Sequence, residues 1–289
     1  MLWSVCVLLS GLAAAGNAVI HGTPNAPTPV IGASRIAALA PSLTELVFAA
    51  GAGHKVVAAS SFSNYPLAAR ALPQVADHGG INIEALLGQR PDLVLVWTSG
   101  TRETDIERLV ALGIRTERIS IATLADIPVA LRRIGDLAGT AEFAGAAADK
   151  LEARLAGLRE RFQLKSRVSV FIEIGRAPLM TVNANHFISE VVRLCGGTNI
   201  FADRSPLVFQ PSREQLIARQ PDVVVFGENR MVGADRRDND DVYAALRVRG
   251  QANMLGIESD QLLRPGPRLV DAADSLCQRL DEFRLRLKR

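Results

Sequence analysis

Ile83-Glu84-Ala85-Leu86-Leu87 leads through Pro91-Asp92 into the apolar run Leu93-Val94-Leu95-Val96, and Arg213-Glu214-Gln215-Leu216-Ile217 leads through Pro221-Asp222 into Val223-Val224-Val225-Phe226. The interval from Glu to Pro is seven residues in both stretches. A second pair keeps the same step: Thr44-Glu45-Leu46-Val47 reaches Gly51, and Ser189-Glu190-Val191-Val192 reaches Gly196, each six residues after its glutamate. A helix followed by a fully apolar strand, written twice in one chain, reads as two copies of one α/β unit.

Working outward, the candidate strands are Arg35 to Leu39, Asp92 to Val96, Val168 to Ile172 and Asp222 to Phe226. They are nearly all apolar rather than alternating, as strands covered on both faces of a parallel sheet must be. Between the copies, Ala141 to Gln163 contains no Pro and is dominated by Ala, Leu, Glu and Arg, with Leu151, Leu155 and Leu158 at helical spacing. One long helix is expected there. The fold class is α/β with two lobes, each a central, mainly parallel sheet flanked by helices. The N-terminal lobe spans 35–140, the rigid connecting helix 141–165 and the C-terminal lobe 166–289. A chain of 289 residues has room for two such cores. A stiff connector predicts lobes that rock only slightly; an ordinary surface helix inside one domain is the alternative.

The segment 1–18 reads as a signal peptide. Its apolar run, Leu2 to Ala15, is too short to span a bilayer and ends in the small-residue site Gly16-Asn17-Ala18. No Lys or Arg precedes that run, so an uncleaved anchor or a start further upstream stays open. Residues 19–34, with Pro24, Pro27 and Pro29, read as an extended leader. Export would leave Cys195 and Cys277 in an oxidising compartment, free to pair or to remain two buried thiols. The net charge of +3 is scattered, and the one basic run, Arg284 to Arg289, reads as a solvated helix end, so a nucleic-acid face is not expected.

Enzyme signatures are absent: no Gly-x-Ser-x-Gly, no P-loop, no His-Glu-x-x-His and no Cys-x-x-Cys occurs. Gly51-Ala52-Gly53 follows a helix, so it reads as a helix stop rather than a dinucleotide fingerprint. The four histidines are dispersed, and no resident metal or cofactor is expected. Ligands of parallel sheets gather beyond the carboxyl ends of the strands. Trp97 stands there after Asp92 to Val96, Tyr65 lies in the turn Ser63-Asn64-Tyr65-Pro66, and Phe209 offers a ring from the other half. Each is a candidate wall for a flat ligand, with packing inside its own lobe as the alternative. On the proline-stiffened loop 260–268, Asp260 and Arg264 are candidate polar contacts, or else a loop ion pair or cap, and Arg268 reads as support for the start of the last helix. Glu84 and Glu214 occupy equivalent tips of the two copies. They suit either docking to a two-fold partner or the dipole of a first helical turn.

From about Arg35 to Leu280 the chain resembles the helical-backbone class of periplasmic binding proteins, most closely the corrinoid (vitamin B12) binders of ABC importers. The residues that carry the likeness are Ala40-Pro41-Ser42-Leu43-Thr44-Glu45-Leu46, Tyr65-Pro66, Arg90 to Trp97, Leu194-Cys195-Gly196-Gly197-Thr198-Asn199-Ile200-Phe201 and Ser212-Arg213-Glu214-Gln215. The resemblance implies a periplasmic, monomeric carrier that delivers cobalamin to an inner-membrane ABC permease. It makes Tyr65 and Trp97 pocket aromatics, Asp260 and Arg264 polar contacts, Cys195 with Cys277 a disulfide, and Glu84 and Glu214 the docking pair. His78 stands where the family can place tryptophan, and Gln261-Leu262 replaces a more aromatic pair. Haem and ferric-siderophore binders share the scaffold, with His78 or Tyr65 as a possible axial iron ligand, so they form the alternative ligand classes. A two-lobed chelatase-like enzyme of tetrapyrrole synthesis is the alternative from another class.

Overall fold

A computed structural model describes residues 32–228 and 253–287. The expectations for the signal segment, for the leader up to residue 31 and for the last two residues of the basic run lie outside this range. In chain order the first half comprises β1 (Ile36–Ala38), α1 (Pro41–Ala49), β2 (Val56–Ser60), β3 (Gln74–Asp77), β4 (Gly80–Ile81), α2 (Ile83–Gly88), β5 (Leu93–Trp97), α3 (Glu103–Ala111), β6 (Thr116–Ile119) and α4 (Asp126–Ala138). The connecting helix is α5 (Ala141–Phe162). The second half comprises β7 (Val168–Glu173), β8 (Gly175–Arg176), β9 (Leu179–Val182), α6 (Phe187–Leu194), β10 (Gly197–Asn199), β11 (Val208–Phe209), α7 (Arg213–Arg219), β12 (Val223–Glu228) and β13 (Asn253–Glu258). It closes with α8 (Ser259–Leu262) and α9 (Leu269–Leu287).

The duplication read from the sequence is a duplication of topology. The first sheet runs β4-β3-β2-β1-β5-β6 and the second β10-β7-β12-β13. In both, the first strand of the copy pairs in parallel with the strand after the next long helix on one side and with the Pro-Asp strand on the other. The repeated aspartate has the same task twice. Ser34 N and Oγ donate to Asp92 Oδ2 at 2.8 and 2.6 Å; Ser169 N and Oγ donate to Asp222 Oδ2 at 2.8 and 2.6 Å. Each carboxylate ties the entry of its own strand to that of the neighbouring one, which sets the register of the central pair. The residues before the two prolines, Arg90 and Gln220, both turn left-handed at φ 47° and 44° to end the helix.

Strand residues alternate between two buried faces. Ile36, Ala38, Leu93 and Leu95 enter one apolar cluster, and Ala37, Val94 and Val96 a second one behind the sheet. In the other half Val170, Ile172, Val223 and Val225 join the first cluster, while Phe171, Val224 and Phe226 form a third. The first cluster therefore runs through both halves, and α5 is its bridge: Ala144, Ala148, Leu151, Leu155, Leu158 and Phe162 are all buried along one stripe. At 22 residues this helix is about 33 Å long. Its start follows the left-handed Gly139, at φ 70°, that ends α4.

Several boundaries differ from the sequence reading. The connecting helix stops at Phe162 rather than 165, because Gln163 to Arg167 must turn the chain into β7. Asp260 lies in the short helix α8, not in a loop. Arg284 is not solvated: it is buried, with Nε donating to the Ser166 carbonyl and Nη2 to that of Cys195, both at 2.7 Å. Burial pulls its pKa below the ordinary value for a guanidinium. Cys195 and Cys277 form a disulfide that fastens the end of α6 to the middle of α9. Gly51 is left-handed after α1, the helix stop expected of it.

Candidate functional site

The carboxyl ends of β1, β2 and β13 carry the polar groups that join the two lobes. After β2 the chain is anchored by a buried hydroxyl chain, Ser60 Oγ to Ser63 Oγ at 3.3 Å and Ser63 Oγ to Thr44 Oγ1 at 3.0 Å. This anchor presents Phe62, Asn64 and Tyr65 beyond the strand ends, Phe62 with the left-handed φ of 65° and Tyr65 before a cis proline. Opposite them, β13 ends in Glu258 and passes straight into α8, which offers Asp260, and then into Arg264 and Arg268 before α9.

These residues close a continuous network. Asn64 Nδ2 donates to Asp260 Oδ2 at 2.8 Å, and Arg264 donates to Asn64 Oδ1 at 2.8 Å and to Asp260 Oδ1 at 2.6 Å. Glu45, on α1, receives Arg264 Nη1 at 3.3 Å and a two-pronged grip from Arg268, Nε at 2.9 Å and Nη2 at 2.6 Å. The Glu45 side chain is 2% exposed and those of the two arginines 13% and 14%. A carboxylate this deeply buried is tolerable only because it is paired and hydrogen-bonded on both oxygens. Burial would lower the Arg268 pKa, but the hydrogen bonds and charge of Glu45, with the charges of Glu258 and Asp260, outweigh it and hold that pKa above its ordinary value. The Arg268 guanidinium lies over the Tyr65 ring, 4.2 Å from its centroid.

Beside this network is a cavity of 420 Å³, with walls that include Phe48 and Ala49 of α1, Tyr65 and Pro66, Leu151 and Arg154 of α5, and Pro267 and Arg268. It is at the small end of ligand pockets and touches both lobes and the connector. Of the residues singled out in the sequence, Tyr65 lines it directly, while Asp260 and Arg264 join it through the hydrogen bonds to Glu45 and Asn64. Trp97 is the last residue of β5, half-buried, and its indole Nε1–H is buried with no hydrogen-bond partner among the described residues. His78 is exposed in the β3–β4 turn with its ring 5.5 Å from that of Phe62. Phe209 sits on β11, edge-on to the buried Phe201 at 5.6 Å, so at least one face of its ring serves the second lobe's core.

Three participants were not assigned these roles from the sequence. Glu45 was legible only as half of a repeat, Asn64 only as a turn residue, and Arg268 as support for a helix start; the structure instead pairs Arg268 with Glu45 and Tyr65. A lone charged residue within an otherwise uncharged helix was the one signal available, since such a group, if buried, needs a cationic partner somewhere. Glu84 and Glu214 are exposed second residues of α2 and α7, each just after a capping side chain, Asn82 or Ser212. Hydrogen bonding to Ser212 is the leading cause that lowers the Glu214 pKa. Among the described residues no cluster of three or more His, Cys, Asp and Glu forms a metal site, and no helix is long and apolar enough to cross a membrane.

The arrangement has clear relatives. A vitamin B12-binding protein of Photorhabdus laumondii is 35% identical over 249 residues, 86% of this chain and 88% of its own. The crystal structure of the periplasmic vitamin B12 binding protein BtuF of Vibrio cholerae superposes with a TM-score of 0.78 at 33% identity, covering 87% of this chain and 98% of that one. The periplasmic heme-binding protein RhuT from Roseiflexus sp. RS-1 shares the fold, with a TM-score of 0.74 at 23% identity over 87% of this chain and 99% of that one. Residues 36–246 match the family described as periplasmic binding protein. With two copies of one α/β unit, a helical bridge and a polar seam at the strand ends, the chain belongs to the periplasmic binding protein family, whose members carry ligands rather than transform them.

Proposed function

We propose that this protein captures a corrinoid between its lobes in the periplasm and delivers it to an inner-membrane ABC import permease. The observation that carries the reading is the identity of 35% to a vitamin B12-binding protein over 86% of the chain. The polar set Asn64, Asp260 and Arg264, beside the exposed ring of Tyr65, supports it. Carboxylate, amide and guanidinium groups suit the amide side chains that rim a corrin. Trp97 contributes a flat face at the end of β5. His78 and Phe209 complete the ligand-contact set in this reading. The lobes are taken as 35–140 and 166–289 about the connecting helix, with residues 1–18 as the export signal. The disulfide fits an oxidising compartment.

Glu84 and Glu214 are the docking pair in this reading. They stand at topologically equivalent places, each on the helix before the Pro-Asp strand of its lobe, so a permease with two-fold symmetry would meet the same carboxylate twice. The protein acts as a monomer. Haem is the second reading, favoured by the shared fold of haem carriers and by the exposed His78. Calorimetric titration with cyanocobalamin, cobinamide, haemin and a ferric siderophore tests both. Tight binding of the two corrinoids supports the proposal; tight haemin or siderophore binding with corrinoid binding at micromolar Kd or weaker would replace it.

A further inference from the structure

The two glutamates of the repeated Thr/Ser-Glu motif do corresponding things at opposite ends of the interlobe seam. Glu45, on the first long helix of the first lobe, reaches to the segment preceding α9, the last helix of the second lobe. Glu190, on the matching helix of the second lobe, reaches back to the segment preceding α4, the last helix of the first half, where its Oε2 accepts Leu124 N–H at 2.6 Å. The pseudo-symmetry ends with the partner. Glu190 holds a backbone amide and a loose pair with Arg193 of its own helix at 3.9 Å, whereas Glu45 holds two arginines from the other lobe, one of which is a candidate ligand contact.

We propose that Glu45 is a positioning residue of the binding cleft: its buried carboxylate holds Arg264, and through Arg268 the Tyr65 ring, in the ligand-receiving arrangement before the ligand arrives. This rests on the corrinoid-carrier reading and names a determinant of the same site. The physical case is that Arg264 Nη1 and Arg268 Nη2 both donate to the single atom Oε1 of Glu45. Two guanidinium groups converge there, and without the carboxylate between them they repel. Arg264 is then left to Asp260 and Asn64, both on the cleft rim, and loses the inner contact that fixes its direction. Arg268 loses both prongs of its close grip, keeps only the longer pairing with Glu258 at 3.7 Å, and is no longer held as firmly over Tyr65. Preorganisation of this kind raises affinity by removing the cost of ordering long side chains at the moment of binding.

A double-mutant cycle tests it. Cyanocobalamin, cobinamide and haemin affinities are measured calorimetrically for wild type, Glu45→Gln, Arg264→Ala, the double variant, and Glu190→Gln as the pseudo-symmetric comparator. If Glu45 acts through Arg264 as well as through Arg268, Glu45→Gln weakens binding about tenfold or more in the wild-type background and by a smaller factor, about threefold, carried by Arg268 and Tyr65, in the Arg264→Ala background. Glu190→Gln stays within about twofold of wild type, because its carboxylate holds no cleft residue. If Glu45→Gln does not fold, Glu45→Asp keeps the charge but withdraws it by one methylene, and a loss of at least about threefold, again smaller beside Arg264→Ala, is the expected result. Wild-type binding with equal losses in both backgrounds, or a Glu45 variant within about twofold of wild type, overturns this inference alone. Wild-type protein that binds none of the three ligands overturns the functional reading and this inference with it.

Discussion

Reducing the Cys195–Cys277 bond is expected to remove about 4.5 kcal/mol of stability. The bond joins residues 82 positions apart, so in the denatured chain it closes a loop of that length. The chain-entropy relation gives about 15 cal/mol/K for such a loop, or about 4.5 kcal/mol at 25 °C. Against the usual 5–15 kcal/mol of net stability, that is a third or more of the total. Both cysteines are fully buried, so reductant reaches them only after unfolding, and the comparison requires protein reduced in denaturant and refolded in its presence. Urea titrations followed by far-ultraviolet circular dichroism give both free energies. The reduced form should unfold at lower urea with a larger slope, since its denatured state exposes more surface. Because the bond pins α6 to α9, and those helices share the apolar cluster that runs through α5, loss should appear as one earlier transition. A difference below about 1 kcal/mol, or an unchanged slope, would refute the loop-closure account.

Three further outcomes follow from particular contacts. His186 caps α6 by accepting the Ile188 N–H on Nδ1, and its burial pushes its pKa down to about 4. The folded form resists protonation that the unfolded chain accepts, so stability is complete about one unit above pH 6.5 and falls by about 3 kcal/mol as pH drops from there to 4. His186→Asn, which retains a capping oxygen, should flatten that part of a stability–pH curve; an unchanged slope would count against the assignment. Asp222→Ala removes two hydrogen bonds at the entry to β7 and should cost about 1–2 kcal/mol in urea unfolding, with Asp92→Ala costing a similar amount at the matching place. Glu84→Ala combined with Glu214→Ala should leave ligand affinity within about twofold while weakening association with permease-containing proteoliposomes about tenfold or more; loss of ligand affinity would show that these residues act elsewhere.

Much of this architecture was legible because it rests on local regularities. Runs such as Leu93 to Val96 and Val223 to Phe226 are apolar on both faces, which identifies a strand covered on both sides wherever it ends up. The helix α5 declared itself by the absence of proline and by leucines at helical spacing. The Pro-Asp repeat was visible as an interval, and the structure supplies its reason, a carboxylate tying two strand entries together.

The site was legible only in part. Trp97 could be named as a candidate from its place beyond a strand end, Tyr65 from its turn, and Asp260 and Arg264 from a proline-stiffened loop, each with family likeness beside it. The links between them could not, because Glu45 and Arg264 are 219 residues apart and Asn64 and Asp260 are 196 apart. Nothing in the local sequence of Arg268 distinguishes a guanidinium that supports its own helix from one that crosses to the other lobe. Sequence alone therefore determined the two α/β copies, their sheets and the helix between them, since period and composition act over a few residues at a time. Tertiary structure alone decided which charges meet, because a buried carboxylate takes whatever cation the folded chain brings within reach, and that depends on how two separately legible lobes come together.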